Sequence, residues 1–124
     1  MLLSEELTER IIGAAIEVHR ILGPGLLESS YKHCLAHEFM LQGIRYGKEI
    51  DLPVIYKGIS LDCGYRMDFV IEETVVLEVK AIDKLGPIHE AQLITYLRLS
   101  GKRIGLLINF NAPVLRNQII RRVL

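Results

Sequence analysis

Between positions 65 and 81 the chain alternates apolar and polar side chains. Met67, Phe69, Ile71, Val75, Leu77 and Val79 fall on one face, and Asp68, Glu78 and Lys80 on the other. A period of two is the spacing of a β-strand, and Glu72-Glu73-Thr74 breaks the run into two strands joined by a turn. The pairing carries a constraint. If Asp68 lies opposite Glu78, then Glu72, Glu73 and Thr74 form a three-residue loop. A two-residue loop pairs Asp68 with Leu77 and sends the two carboxylates to opposite faces. Two carboxylates and an ammonium gathered on a sheet that is anchored in a core cost free energy unless they pair or hold a metal.

Helical spacing governs the first part of the chain. Leu7, Ile11, Ala14, Val18 and Leu22 recur at helical intervals behind Ser4, a capping residue, with Glu5 and Glu6 at the positive end of the dipole. Gly23-Pro24-Gly25 ends that helix. A second runs from about Leu26 to Gln42, stopped by Gly43, and its apolar positions include Leu27, Tyr31, Cys34, Leu35 and Phe39. Ile50 to Tyr56 makes a first strand, with Pro53 marking an edge or a bulge, and Lys57-Gly58 a turn. Ile59 to Ile71 makes a second strand, and Thr74 or Val75 to Ala81 a third. Gly86-Pro87 opens a third helix, with Pro where a missing N–H costs nothing, and Gly101 closes it. Ile104 to Phe110 is a short apolar run suited to a strand buried on both faces. From Val114 to Leu124 the pattern fits an edge strand or a short amphipathic helix, with the strand the better match. The order is α-α-β-β-β-α-β with the tail as a final edge strand. That is an α/β (α+β) chain, a mixed sheet flanked by helices.

Composition narrows the class. The 124 residues suit one domain over 1–124 with a core of its own. Hydrophobic residues make up 50% of the chain, yet no run approaches the roughly 20 apolar residues of a membrane span. The N-terminus lacks the basic and apolar segments of a secretion signal. Cys34 and Cys63 form no CxxC or Cys/His group, so zinc and disulfides are not expected, and a reducing cytoplasm is the expected home. A formal net charge of zero argues against a general nucleic-acid coat. The charge is uneven, however. Glu5, Glu6, Glu9, Glu17 and Glu28 face only Arg10 and Arg20 at the N-terminal end, while Lys102, Arg103, Arg116, Arg121 and Arg122 stand in a segment without acids. That basic tail either meets phosphates or forms a solvated face balanced by the acidic N-terminus.

Further polar groups fall where one shared site can use them. Glu28 and Tyr31 neighbour each other on a helix face in Gly25-Leu26-Leu27-Glu28-Ser29-Ser30-Tyr31. Gln92 and Tyr96 share a face at i, i+4, and His89 precedes Gln92 by one turn. Each has a plainer reading: Glu28 as a partner of the helix dipole, Gln92 and Tyr96 as rim structure, His89 as a solvated side chain. Asp68 with Glu78-Val79-Lys80 also suits an ordinary ion-paired strand face. Their coincidence argues for a site.

Asp68, followed by Glu78-Val79-Lys80 in the next strand, resembles the PD-(D/E)XK nuclease superfamily, whose restriction-endonuclease-like core has the order α-β-β-β-α-β. The Gly25-x-x-Glu28-x-x-Tyr31 segment resembles the signature of the GxxExxY proteins within that superfamily, and Gln92-x-x-x-Tyr96 resembles the QxxxY motif of its RecB-like and related branches. Met67 stands where the motif's name has Pro. The resemblance covers essentially the whole chain.

It implies metal-dependent hydrolysis of nucleic-acid phosphodiesters, DNA ahead of RNA. Asp68 and Glu78 would bind Mg²⁺ or Mn²⁺, with the Val79 carbonyl as a third oxygen and Glu28 completing the site directly or through a water. Hard oxygen donors suit those ions. Lys80 would orient or deprotonate the attacking water and stabilise developing charge, and Gln92 and Tyr96 would position Lys80, the water or a phosphate. The alternative is a non-catalytic module that keeps the fold and binds nucleic acid or a protein partner, which suits a small, neutral chain. A homodimer is also expected, because the apolar fraction exceeds what one small core hides and the tail leaves a strand edge.

Overall fold

A computed structural model describes the backbone of residues 2–124 and the side chains of residues 5–124. The side chain of Ser4, the expected cap, lies outside that range. Helix α1 (Leu2–Leu22) buries Leu7, Ile11, Ala14 and Val18 along one stripe, and α2 (Glu28–Leu41) buries Tyr31, Leu35, Ala36 and Phe39. Leu27 and Cys34, expected among the apolar positions of α2, are exposed. Leu27 is the extended residue before the helix begins, and the buried stripe drifts toward Ala36, which leaves Cys34 on the solvent side.

Seven strands follow: β1 (Tyr46–Asp51), β2 (Val54–Tyr56), β3 (Ile59–Leu61), β4 (Arg66–Ile71), β5 (Val75–Lys80), β6 (Ile104–Asn109) and β7 (Ile119–Val123). Helix α3 (Pro87–Ser100) connects β5 to β6, and a short 3₁₀ helix, Leu115–Gln118, precedes β7. Five strands form a sheet in the order β1-β4-β5-β6-β7. The β5–β6 pair is parallel, as a helical crossover requires, and the other neighbours are antiparallel. The expected mixed sheet is present, and the tail is a strand.

Two expected strands are each divided. The first breaks at Leu52-Pro53, since proline brings no N–H to a ladder, and β1 begins at Tyr46 rather than Ile50. The second breaks at residues 62–65. The pieces between them, β2 and β3, pair only with each other in a separate two-stranded sheet. The Lys57-Gly58 turn closes it with φ of 48° and 81°, the left-handed pair that a two-residue hairpin favours.

Both faces of the sheet are covered. Phe69, Ile71, Leu77, Val79, Leu106 and Ile108 pack with α1 and α2, while Val76 and Leu107 pack with Leu93 and Leu97 of α3. The face that carries Asp68 and Glu78 in the strand pattern is therefore a second core, with polar residues at one end only. Gly105 lets α3 lie close to it, since a Cβ there would sit 2.8 Å from a Leu93 methyl. Met67 departs from the strand alternation and joins Leu52, Val76 and Leu93 on the α3 side. The β1–β4 pairing lapses between Lys48↔Phe69 and Ile50↔Met67, where Glu49 is left-handed with φ 55°. A strand freed from its ladder there can turn its faces.

Candidate active site

The β4–β5 register pairs Phe69 with Leu77, Val70 with Val76 and Ile71 with Val75. That leaves Glu72, Glu73 and Thr74 as a three-residue loop, with Glu72 and Glu73 left-handed at φ 50° and 56°. Continued, it sets Asp68 opposite Glu78. There side-chain bonds take over: the Asp68 N–H donates to Glu78 Oε2 at 2.8 Å, and the Val79 N–H donates to Asp68 Oδ2 at 2.8 Å. Each carboxylate is thus tied to the other's strand. In a strand, the N–H and C=O of one residue point to the same side, so the Val79 carbonyl also faces β4.

On the α2 side stands a residue that sequence reasoning missed. Lys32 Nζ lies 2.9 Å from Asp68 Oδ1, 3.2 Å from Glu28 Oε2 and 3.5 Å from Glu49 Oε1. One ammonium therefore links Glu28 to Asp68. The available signal was the i, i+4 spacing of Glu28 and Lys32, with the acid N-terminal. Glu28 owes its place to the loop before it. Tyr31 is fully buried, stacks on Phe110 at 4.7 Å, donates its hydroxyl to Gly23 O at 2.6 Å and accepts the Leu26 N–H at 3.1 Å. Gly25, at φ 99°, donates its N–H to Asn111 Oδ1 at 3.1 Å. Gly25 and Tyr31 are thus structural, and they start α2 where Glu28 faces β4.

On the α3 side, Lys80 Nζ donates to Gln92 Oε1 at 3.3 Å, and Gln92 Nε2 donates to the Tyr96 hydroxyl at 3.3 Å. His89 is not the solvated side chain expected. It is half-buried, and its Nδ1 accepts the Gly86 N–H at 2.9 Å, capping α3. The basic tail is partly spent on the protein's own oxygens. Arg122 pairs with Glu90, Lys102 donates to Glu73 O, and Arg103 donates to Leu124 O. Glu28, Asp68, Glu78, Val79, Lys80, Gln92 and Tyr96 gather at one end of the sheet, between α2 and α3.

Burial dominates the electrostatics. Asp68 is 8% and Glu78 4% exposed. Desolvation, then the charge of Asp68, pushes Glu78 up to about 8, against the pull of the Asp68 N–H, Lys80 and Lys32. Desolvation also raises Asp68, despite its bonds from Val79 and Lys32. Burial opposes the Lys32 ammonium, but Asp68 and then Glu28 outweigh it and hold its pKa above the ordinary lysine value. Tyr96 is raised by burial and by the nearby Glu78. Two desolvated carboxylates that repel each other suit a cation. Among the described residues no group of three or more His, Cys, Asp and Glu is placed to hold one. The groups that could hold one are two carboxylates and a carbonyl, a set that fits an ion that keeps several of its waters, such as Mg²⁺. A groove of about 720 Å³ runs along β1 and β4 beside Leu99 and includes none of these residues.

A mixed sheet whose central hairpin brings two buried carboxylates and a lysine between flanking helices defines a restriction-endonuclease-like α/β protein. The chain belongs to the PD-(D/E)XK nuclease superfamily, whose family model matches residues 5–123. Searches of curated proteins and of solved structures returned no match. Membership implies nucleic acid as the substrate class. No helix among the described residues is long and apolar enough to cross a membrane.

Proposed function

We propose that this chain is a metal-dependent nuclease of the GxxExxY group, which hydrolyses phosphodiester bonds with DNA ahead of RNA as substrate. The observation that carries the reading is the pair of 2.8 Å bonds by which Asp68 and Glu78 each grip the other's strand. Those bonds hold two desolvated carboxylates in place before any ligand arrives, which is how preorganised sites lower reorganisation costs. Asp68, Glu78 and the Val79 carbonyl would hold Mg²⁺ or Mn²⁺. When bound, the ion supplies charge neutralisation at the phosphate and a more acidic water. Glu78 gives up its proton to act as a ligand, so ion binding strengthens as pH rises. Lys80, steadied by Gln92 and through it by Tyr96, orients the attacking water and meets developing negative charge. Glu28 completes the acidic rim and shares Lys32 with Asp68.

A panel of single- and double-stranded DNA and RNA, with Mg²⁺ or Mn²⁺, tests the reading. Lys80→Ala should abolish cleavage and leave cation affinity nearly intact, while Asp68→Ala should lose both. A wild type that cuts nothing on the panel favours a non-catalytic binding module, the reading that the Lys32 ammonium on Asp68 supports. The protein acts as a homodimer in this proposal, paired along the open edge of β7, where Val123 is 55% exposed.

A further inference from the structure

The antiparallel β1–β4 pair ends at Asp51↔Arg66, and from that end the β2–β3 hairpin springs as an arm. The same end of the sheet holds Asp68 near the start of β4 and Lys80 at the close of β5. Every residue from 55 to 66 is exposed. Ile55, Tyr56, Ile59 and Leu61 are 55%, 60%, 60% and 43% exposed, an unusual concentration of apolar surface for a three-residue hairpin strand pair. At the base, Tyr65 is 47% exposed and meets Tyr96 edge-on, with ring centroids 6.3 Å apart. Tyr96 is bonded to Gln92, and Gln92 to Lys80. The arm is rooted rather than loose. Leu52 and Met67, 3% and 4% exposed, anchor its two ends in the core, and the Leu52 N–H donates to Tyr65 O at 2.9 Å.

We infer that this arm, with Tyr65 at its base and Tyr56 near its tip, is a base-stacking surface that selects single-stranded nucleic acid. The inference rests on the reading that the substrate crosses Asp68 and Glu78. Between Leu52 and Tyr65 the only charged residues are Lys57 and Asp62, and Lys57 Nζ stands 5.4 Å over the Tyr56 ring. A duplex shows the protein its phosphates, and gripping it takes several Lys or Arg side chains. Its base faces are hidden in the stack. The arm offers rings and aliphatic side chains instead, which unpaired bases can stack on regardless of sequence. A strand whose scissile phosphate reaches the carboxylates runs beside Tyr65, because Tyr65 is one ring away from the residues that steady Lys80.

The test is fluorescence anisotropy with labelled single-stranded DNA, single-stranded RNA and duplex DNA, in Mg²⁺, on the Lys80→Ala chain so that no strand is cut. The single strands should bind at least tenfold tighter than the duplex. Adding Tyr65→Ala or Tyr56→Ala should weaken single-strand binding by about 5- to 150-fold each, the range that stacking one base supplies, and Tyr65→Phe should restore it. Equal or tighter duplex binding, or alanine variants without effect, overturns the inference, as does a dimer in light scattering that Tyr56→Ser with Ile59→Ser dissolves. The two readings fail separately. Wild type that binds single strands through Tyr65 but cuts nothing refutes the nuclease and keeps the arm, whereas duplex cleavage indifferent to Tyr65 does the reverse.

Discussion

Glu78→Gln offers a direct test of the site's electrostatics. Burial and the charge of Asp68 raise the Glu78 carboxyl from its ordinary 4.5 to about 8 in the folded chain. Between those values the folded protein holds a proton that the unfolded chain has released, so stability of the metal-free protein falls as pH rises through this window. At about 1.4 kcal/mol for each pH unit, the full interval gives an upper bound of about 5 kcal/mol. Asp68 shares the titration, so the midpoint belongs to the pair. Glutamine is the neutral isostere and can still accept the Asp68 N–H that Glu78 Oε2 accepts at 2.8 Å. Urea unfolding in EDTA, followed by circular dichroism from pH 5 to 8.5, should give wild type and variant similar stabilities at pH 5. At pH 8.5 the variant should be several kcal/mol more stable, and Mg²⁺ should close the gap by stabilising only the wild type. A gap independent of pH, or a wild type that gains stability as pH rises relative to Glu78→Gln, refutes the reasoning.

Three further outcomes follow from the same geometry. Lys32→Met removes the ammonium that lies 2.9 Å from Asp68, so Mg²⁺ affinity by calorimetry at pH 8 should rise roughly tenfold, as loss of a charge-assisted competitor predicts; weaker binding would show that Lys32 helps to build the site. Tyr31→Phe strips the hydroxyl from Gly23 O and the Leu26 N–H and should cost about 1–3 kcal/mol in urea unfolding, whereas an unchanged midpoint would mean the loop before α2 does not depend on it. Light scattering at micromolar concentration should give the mass of a dimer, and a monomer would remove the β7 pairing.

Much of this site was legible along the chain because strand and helix periods state which residues share a face within one element. A shared face for Asp68 and Glu78 demanded an odd loop or a bulge between their strands, and the three-residue loop is there. The spacing of Gln92 and Tyr96 put them on one side of a helix, and they are bonded to each other. Periodicity does not state how far apart two elements lie. The i, i+4 spacing of Lys32 and Glu28 says nothing of Asp68, and only the packing of α2 against β4 brings the ammonium onto it. The polar face expected around Glu78 turned out to be a second core, since α3 folds over Val76 and Leu107 and leaves only the end of the sheet for charge. Met67 changed faces where a left-handed Glu49 interrupts the ladder, a break with no mark in the apolar pattern. The arm emerged where Pro53 and residues 62–65 divided strands that composition alone would have continued. Local chemistry and period determined the elements and their faces. The distances that turn those faces into a site, and the burial that raises Glu78, come from tertiary packing, because desolvation depends on what covers a residue and not on its neighbours in the chain.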